Sequence, residues 1–123
     1  MNLVDSSGWL EYFADGKNAT FFAPALESTN NLIVSSINVY EVFKKVLNEK
    51  GEDMALKIAS VMANAKIMDI DYNISLLAAK LSVQYKLPMA DSLILATAKI
   101  NNAQLWTQDV DFMNIPDVKY IKK

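Results

Sequence analysis

The chain has 123 residues and a net charge of -2, with twelve basic residues that are all lysine, fourteen acids, and neither cysteine nor histidine. This length suits a single domain over residues 1–123, and the missing cysteine and histidine exclude disulfides, thiol nucleophiles, Ser-His-Asp triads and ordinary zinc sites. The small negative charge provides no global basic field for nucleic acid, so any such contact must be local.

Short apolar and β-branched runs alternate with amphipathic segments, a pattern that predicts strands separated by helical crossovers. The predicted elements of the first half are strand NLV, a helix through Trp9 and Phe13 capped by Ser6 and Ser7, a helical piece ATFFAPALES broken or begun near Pro24, strand LIVSS, and a helix from Ile37 to Glu49 closed by Gly51. Those of the second half are helix EDMALKIASVMANA with apolar Met54, Ile58, Val61 and Met62, strand KIMDI, helices NISLLAAKLSVQY and PMADSLILATAKI, and strands QLWT and VKYI. Strands joined in this way pair in parallel and are covered on both faces, so we predict a three-layer α/β/α sandwich with a mostly parallel four- to five-stranded sheet.

Membrane insertion is not expected. The uninterrupted apolar runs are only a few residues long, far short of a membrane span, and the polar start MNLVDSSGW has no signal-peptide core. We therefore expect a cytoplasmic protein.

The segment PMADSLILATAKI places a carboxylate on an apolar helix face. Asp91 precedes Ile94, Leu95 and Ala98 by three, four and seven residues, so the four side chains share one face. An ionised carboxylate on a buried face is unfavourable unless it is paired, hydrogen-bonded or bound to a cation. The sequence therefore predicts a compensating group beside Asp91.

Four acids fall near the carboxyl ends of predicted strands, where sites form in open parallel sheets. They are Asp5, Glu41, Asp91 and Asp109. If the strand order brings them together, they repel one another, and either their pKa values rise or a divalent cation neutralises them. Because only oxygen ligands are offered, that cation is expected to be Mg²⁺ or Mn²⁺.

Each acid, considered alone, has a structural alternative. Asp5 could cap the first helix, Glu41 could pair with Lys44 or Lys45, Asp91 could interact with the helix dipole, and Asp109 with Asp111 could form a turn. The hypothesis of a metal site depends on the joint arrangement of the four acids.

Four segments together resemble the PIN domain, specifically the small VapC-type toxin ribonucleases of toxin–antitoxin pairs. They are LVDSSGWLEYF, SSINVYEV, LPMADSLILATA and LWTQDVDF, and they cover nearly the whole chain. The resemblance implies that Asp5, Glu41, Asp91 and Asp109 bind one or two Mg²⁺ or Mn²⁺ ions, with Asp111 as an alternative fourth ligand. It also implies that Thr107, and Ser6 or Ser7, supply hydroxyls to the catalytic site.

The function implied by this resemblance is endonucleolytic cleavage of RNA such as tRNA or rRNA. It further implies a homodimer that a cognate antitoxin inhibits by filling the active-site groove with its tail. Because arginine is absent, phosphate contacts would fall to Lys44, Lys45 or Lys99.

Two other functions are alternatives to the nuclease. One is a PIN-fold interaction module with little or no nuclease activity. The other is phosphoryl transfer to Asp5, which is disfavoured because Ser7 stands where a phosphatase would carry its second acid.

Overall fold

A five-stranded parallel sheet separates two layers of helices. The computed structural model describes all 123 residues. The strands are β1 (Asn2–Val4), β2 (Leu32–Ser35), β3 (Lys66–Met68), β4 (Gln104–Thr107) and β5 (Val118–Tyr120). The helices are α1 (Ser6–Phe13), α2 (Ala19–Glu27), α3 (Ser36–Lys50), α4 (Glu52–Met62), α5 (Tyr72–Tyr85) and α6 (Met89–Ile100). The predicted three-layer α/β/α sandwich is confirmed, and the order β3-β2-β1-β4-β5 makes β1 the central strand.

Successive residues of the central strands supply two separate cores. Leu3 and Ile33 belong to the core beneath α5 and α6, whereas Val4 and Val34 belong to the core beneath α1 to α4. Side chains of a strand alternate between the two faces of the sheet, and both faces are covered here. This is why the strands appear in the sequence as continuous apolar runs. None of the helices combines the length and the hydropathy needed to cross a membrane.

The helix after β1 begins where predicted, but its cap differs. Asp5 occupies the N-cap position but its side chain makes no capping hydrogen bond, and Ser6 and Ser7 form the first turn. The Ser6 hydroxyl donates to Glu41 Oε1 at 2.7 Å, and the Ser7 hydroxyl donates to Asp5 Oδ2 at 2.7 Å. The prediction that a serine caps this helix is wrong because carboxylates, which only accept hydrogen bonds, take these hydroxyls as donors.

The apolar face of α4 is narrower than predicted. Ile58 and Met62 are buried with Ala55, whereas Met54 and Val61 are exposed. The helix packs along one stripe against α3, so the residues at the borders of that stripe remain in contact with solvent. Gly51 separates α3 from α4 as predicted, with φ at 90°, a conformation that a side chain would disfavour.

Candidate metal centre

Asp5 lies at the carboxyl end of the central strand, where the residue is 3% exposed. Its backbone N–H donates to the carbonyl of Trp106 at 2.9 Å, which ties it to the end of β4. Its Oδ2 accepts from Ser7 Oγ at 2.7 Å and from Thr107 Oγ1 at 2.9 Å. These hydroxyls fix the orientation of the carboxylate and leave its other oxygen without a protein donor.

Glu41 is held beside this strand end by a chain of hydrogen bonds. Ser6 Oγ donates to Glu41 Oε1 at 2.7 Å and accepts from Asn38 Nδ2 at 2.9 Å. The Oδ1 of Asn38 accepts from the backbone N–H of Ser35 at 3.1 Å. Asn38 is fully buried, and the sequence analysis missed it. The sequence feature that indicates Asn38 is its position three residues after the helix cap Ser35, where a capping box places a polar side chain.

The segment after β4 brings two more acids to the site. Thr107 Oγ1 accepts from the backbone N–H of Asp109 at 2.9 Å, and Asp109 Oδ1 accepts from the N–H of Asp111 at 2.9 Å. Carboxylate oxygens of Asp91, Asp109 and Asp111 all lie within 4.8 Å of one another. The two acids considered as alternative ligands therefore stand together beside Asp91, with Asp109 lining the cavity and Asp111 exposed.

Two acids of the cluster, Asp91 and Asp5, have raised pKa values. Burial raises the pKa of Asp91 to about 8, and a hydrogen bond to Asp111 and repulsion by the neighbouring acids act in the same direction. Burial also raises the pKa of Asp5, although the hydroxyls of Ser7 and Thr107 oppose the shift by stabilising the ionised form. The site therefore favours bound protons or a cation near neutral pH.

A cavity of about 960 Å³ opens above these acids. Asp5, Asp91 and Asp109 line it together with Glu41, and two of the predicted phosphate-contacting lysines, Lys44 and Lys45, line it as well. The third, Lys99, lies in the last turn of α6 and does not line the cavity. It is separated from Asp91 by eight helical residues, or about 12 Å along the axis.

The donor set fits a hard divalent cation. Every candidate ligand is a carboxylate oxygen, and the oxygen of Asp5 that accepts no protein hydrogen bond is available for coordination. Mg²⁺ and Mn²⁺ are bound by such oxygens, whereas structural zinc prefers the sulfur and nitrogen ligands that this chain lacks.

Gln108 is a further buried polar residue that the sequence analysis missed. Its Oε1 accepts from Asn18 Nδ2 at 2.9 Å, and its Nε2 lies 3.4 Å from the carbonyl oxygen of Ser7. These contacts join the residue between Thr107 and Asp109 to the start of α1 and to the start of α2. No local sequence pattern signals them because the partners are 90 and 101 residues away.

We expect Thr107→Val to weaken both the fold and the metal site. The substitution keeps the side-chain shape but removes the hydroxyl that bridges Asp5 and the N–H of Asp109. The free energy of unfolding should fall by about 1–3 kcal/mol because buried groups lose their partners. Affinity for Mn²⁺ should fall by about 10- to 100-fold, as for other residues that orient metal ligands. Urea unfolding and calorimetric titration measure the two effects.

Thr107→Ser retains the hydroxyl and is the matched control, so its stability and its affinity for Mn²⁺ should be much closer to those of the wild type. Equal losses in both variants would contradict the role of the hydroxyl.

Three solved structures illustrate which proteins share this fold. A toxin–antitoxin complex from Klebsiella pneumoniae contains a chain similar to this one, with a TM-score of 0.81 and 24% sequence identity over 96% of this chain and 95% of that chain. VapC20 from Mycobacterium tuberculosis, described as a sarcin–ricin-loop-cleaving toxin, matches with a TM-score of 0.77 and 15% identity over 97% and 98% of the two chains. VapBC2 from Rickettsia felis, bound to a promoter DNA fragment, matches with a TM-score of 0.75 and 17% identity over 98% and 97%.

Sequence comparison identifies the family directly. Comparison with curated proteins found no match. The family model described as PIN domain matches residues 3–118, which contain β2, β3 and β4 entirely, the last two residues of β1 and the first residue of β5. Because this match spans nearly the whole sequence and the fold agrees with it, the chain belongs to the PIN-domain family.

Proposed function

We propose that this protein is the toxin of a type II toxin–antitoxin pair, a Mg²⁺- or Mn²⁺-dependent endoribonuclease that acts in the cytoplasm. The observation that carries this proposal is the meeting of four acids, distant in sequence, in one open cavity. They are Asp5, Glu41, Asp91 and Asp109. The same cavity carries lysines on one wall, so it combines a site for a cation with a site for phosphate.

In this proposal Asp5, Glu41, Asp91 and Asp109 hold the cation, with Asp111 as an alternative fourth ligand. When bound, Mg²⁺ or Mn²⁺ lowers the pKa of water and offsets negative charge on the phosphate oxygens. Thr107 and the serines of α1 keep the carboxylates in place through the hydrogen bonds described above. Glu41 or Asp109, which both line the cavity, also accepts the proton from the attacking water.

The proposed substrate is RNA, with ribosomal and transfer RNA as the two target classes that the family resemblance implies. VapC20, which shares the fold, is described as cleaving the sarcin–ricin loop, and this supports a structured cellular RNA as substrate. Lys44 and Lys45 on the cavity wall are the residues placed to contact its phosphates, as point charges because the chain has no arginine.

The proposed inhibitor is an antitoxin with an apolar segment. A second groove of about 530 Å³ between α1, α3 and α4 shares Ser7, Leu10 and Lys45 with the acidic cavity. Its lining includes the apolar side chains of Phe13 and Met54. A peptide seated there would pass directly into the cavity and exclude RNA. The structure from Klebsiella pneumoniae, which is a toxin–antitoxin complex, supports such a partner.

We also propose a homodimer, as the family resemblance implies. The surface we propose for it is the exposed side of α5, where Leu76 is 50% exposed and Val83, two helical turns further on, is 83% exposed.

Cleavage of purified tRNA and rRNA fractions tests the nuclease proposal. The wild type should cleave in Mn²⁺ but not in EDTA, and Asp5→Asn purified in parallel should be inactive in both. The parallel variant controls for contaminating nuclease. Equal cleavage by the two proteins, or no cleavage of any fraction, would contradict the proposal and favour a PIN-fold interaction module.

A further inference from the structure

An exposed tyrosine and a lysine stand together on the α3 wall of the cavity. Tyr40 is 57% exposed and directly precedes Glu41 in the chain. The Nζ atom of Lys44, one helical turn further on, lies 3.4 Å from the Tyr40 hydroxyl and 5.5 Å from the ring centroid. Both residues line the cavity that contains the acids, and neither is a candidate metal ligand.

The charge of Lys44 is not neutralised within the protein. The single ion pair of the structure joins Lys45 to Glu49 at 2.9 Å, so Lys45 already has a carboxylate partner. Lys44 contacts the Tyr40 ring and hydroxyl instead. Its positive charge therefore remains available on a cavity wall close to the acidic floor.

Tyr40 contributes little to the core. The buried residues of α3 are Asn38, Val42 and Val46, which lie on another side of the helix. A large aromatic ring that is not needed for packing, and that lies on the wall of a binding cavity, is free to stack against a ligand. Aromatic side chains and neighbouring cations are the groups that proteins use to bind unpaired nucleotides.

We propose that Tyr40 and Lys44 form a subsite for one unpaired nucleotide of the RNA substrate, with its base stacked on the Tyr40 ring and its phosphate contacted by Lys44. This inference rests on the proposed nuclease function and specifies which part of the RNA the cavity accepts. A paired base is already stacked within its helix, so the subsite selects loops and other single-stranded segments. The subsite also supplies the local RNA contact that a chain of net charge -2 requires.

Binding of a short fluorescent uridine oligonucleotide tests this subsite without requiring turnover. Anisotropy is measured in Ca²⁺, and gels verify that the oligonucleotide stays intact. We expect Tyr40→Ala to weaken binding by about tenfold, within the range observed for loss of one base–aromatic stack, and Tyr40→Phe to bind like the wild type. For Lys44→Gln, the slope of log affinity against log salt should become shallower by about 0.7, corresponding to one lost phosphate contact on a single strand.

Matched controls separate the subsite from general surface effects. Tyr72→Ala and Lys57→Gln change an exposed tyrosine and an exposed lysine outside the cavity, and both should leave binding unchanged. An abasic oligomer retains phosphates without bases, so the loss caused by Tyr40→Ala should disappear with it while the effect of Lys44→Gln persists. A Tyr40→Ala loss of equal size on both oligomers would overturn the stacking role.

Failure of the proposed nucleotide subsite can be distinguished from failure of the proposed nuclease function. A wild type that binds the oligonucleotide through Tyr40 and Lys44 but cleaves no RNA would contradict the nuclease function and support the subsite. A wild type that cleaves RNA while Tyr40→Ala and Lys44→Gln bind with unchanged affinity and salt dependence would overturn the subsite alone. Absence of any wild-type binding would also overturn it.

Discussion

Asp91→Asn is expected to lose RNA cleavage and, in the absence of divalent ions, to be more stable than the wild type. The loss follows from removing a proposed ligand of the cation, whose transition-state stabilisation is several kcal/mol, so kcat/KM should fall by at least about 10²- to 10³-fold. The gain in stability follows from the raised pKa of Asp91, because an asparagine cannot ionise beside Asp109 and Asp111. At pH 7.5 in EDTA we expect the free energy of unfolding to rise by about 1–2 kcal/mol. This is well below the free energy that the whole pKa shift would correspond to, because the carboxyl is partly exposed and solvent screens it.

Steady-state cleavage and urea unfolding of the same protein preparations measure the two effects. Asp69→Asn is the matched control, since Asp69 is exposed and lies outside the cavity. It should change neither activity nor stability appreciably. A purely structural Asp91 would lose stability on substitution, so reduced stability of Asp91→Asn in EDTA would contradict its placement in an acidic metal centre.

Mn²⁺ or Mg²⁺ is expected to stabilise the wild type strongly, and Asp91→Asn much less. A ligand that binds only the folded state at about 100 times its dissociation constant contributes about 2.7 kcal/mol to the free energy of unfolding. Urea unfolding with increasing Mn²⁺ measures this stabilisation, and Na⁺ at equal ionic strength controls for charge screening. An unfolding midpoint that does not change with Mn²⁺ would contradict a metal centre of any kind.

The pH dependence in EDTA has a defined sign. The pKa of Asp91 is about 8 in the folded state and 3.8 in the reference state, so the folded protein binds an additional proton between these values. Stability from this group therefore falls as pH rises from about 4 to about 8 and is constant outside that window. Burial raises the pKa of Asp5 in the same direction.

The difference in stability between Asp91→Asn and the wild type isolates this effect from the other titrating groups. It should be near zero at pH 4 and largest at pH 8. Saturating Mn²⁺ should reverse the trend in the wild type, because the cation binds the deprotonated carboxylates and protons compete with it. A stability difference independent of pH would show that Asp91 does not hold the proton.

Much of the fold follows from local patterns that a single sequence carries. The run from Leu32 to Ser35 is buried on both faces and is therefore apolar throughout, which predicts a covered parallel strand. The spacing of Asp91 with Ile94 and Leu95 likewise revealed an acid on a buried helix face, and the structure places all three on α6 as predicted. Such features depend on backbone periodicity, which acts over a few residues.

Local patterns failed where a side chain has more than one nearby partner. Ser6 and Ser7 are ordinary helix-capping residues by type, yet their hydroxyls donate to Glu41 and Asp5. The choice between Asp109 and Asp111 as a ligand stays open, since the turn after Thr107 places both beside Asp91. These contacts depend on hydrogen-bond acceptors that belong to other elements of the fold. The residues next to the serines in the sequence do not indicate which acceptors will lie nearby.

By itself the sequence determined the type of each element, the covered parallel sheet, and the position of four acids near strand ends. Only the tertiary structure decided which of these ends meet. Pairing of β1 with β4 brings Thr107 to Asp5 across 102 residues, and the same packing brings Lys44 to the cavity while leaving Lys99 outside it. The physical reason is that periodicity along the chain selects helix or strand locally, whereas strand order is selected by burial of both sheet faces at once, a property of the whole molecule.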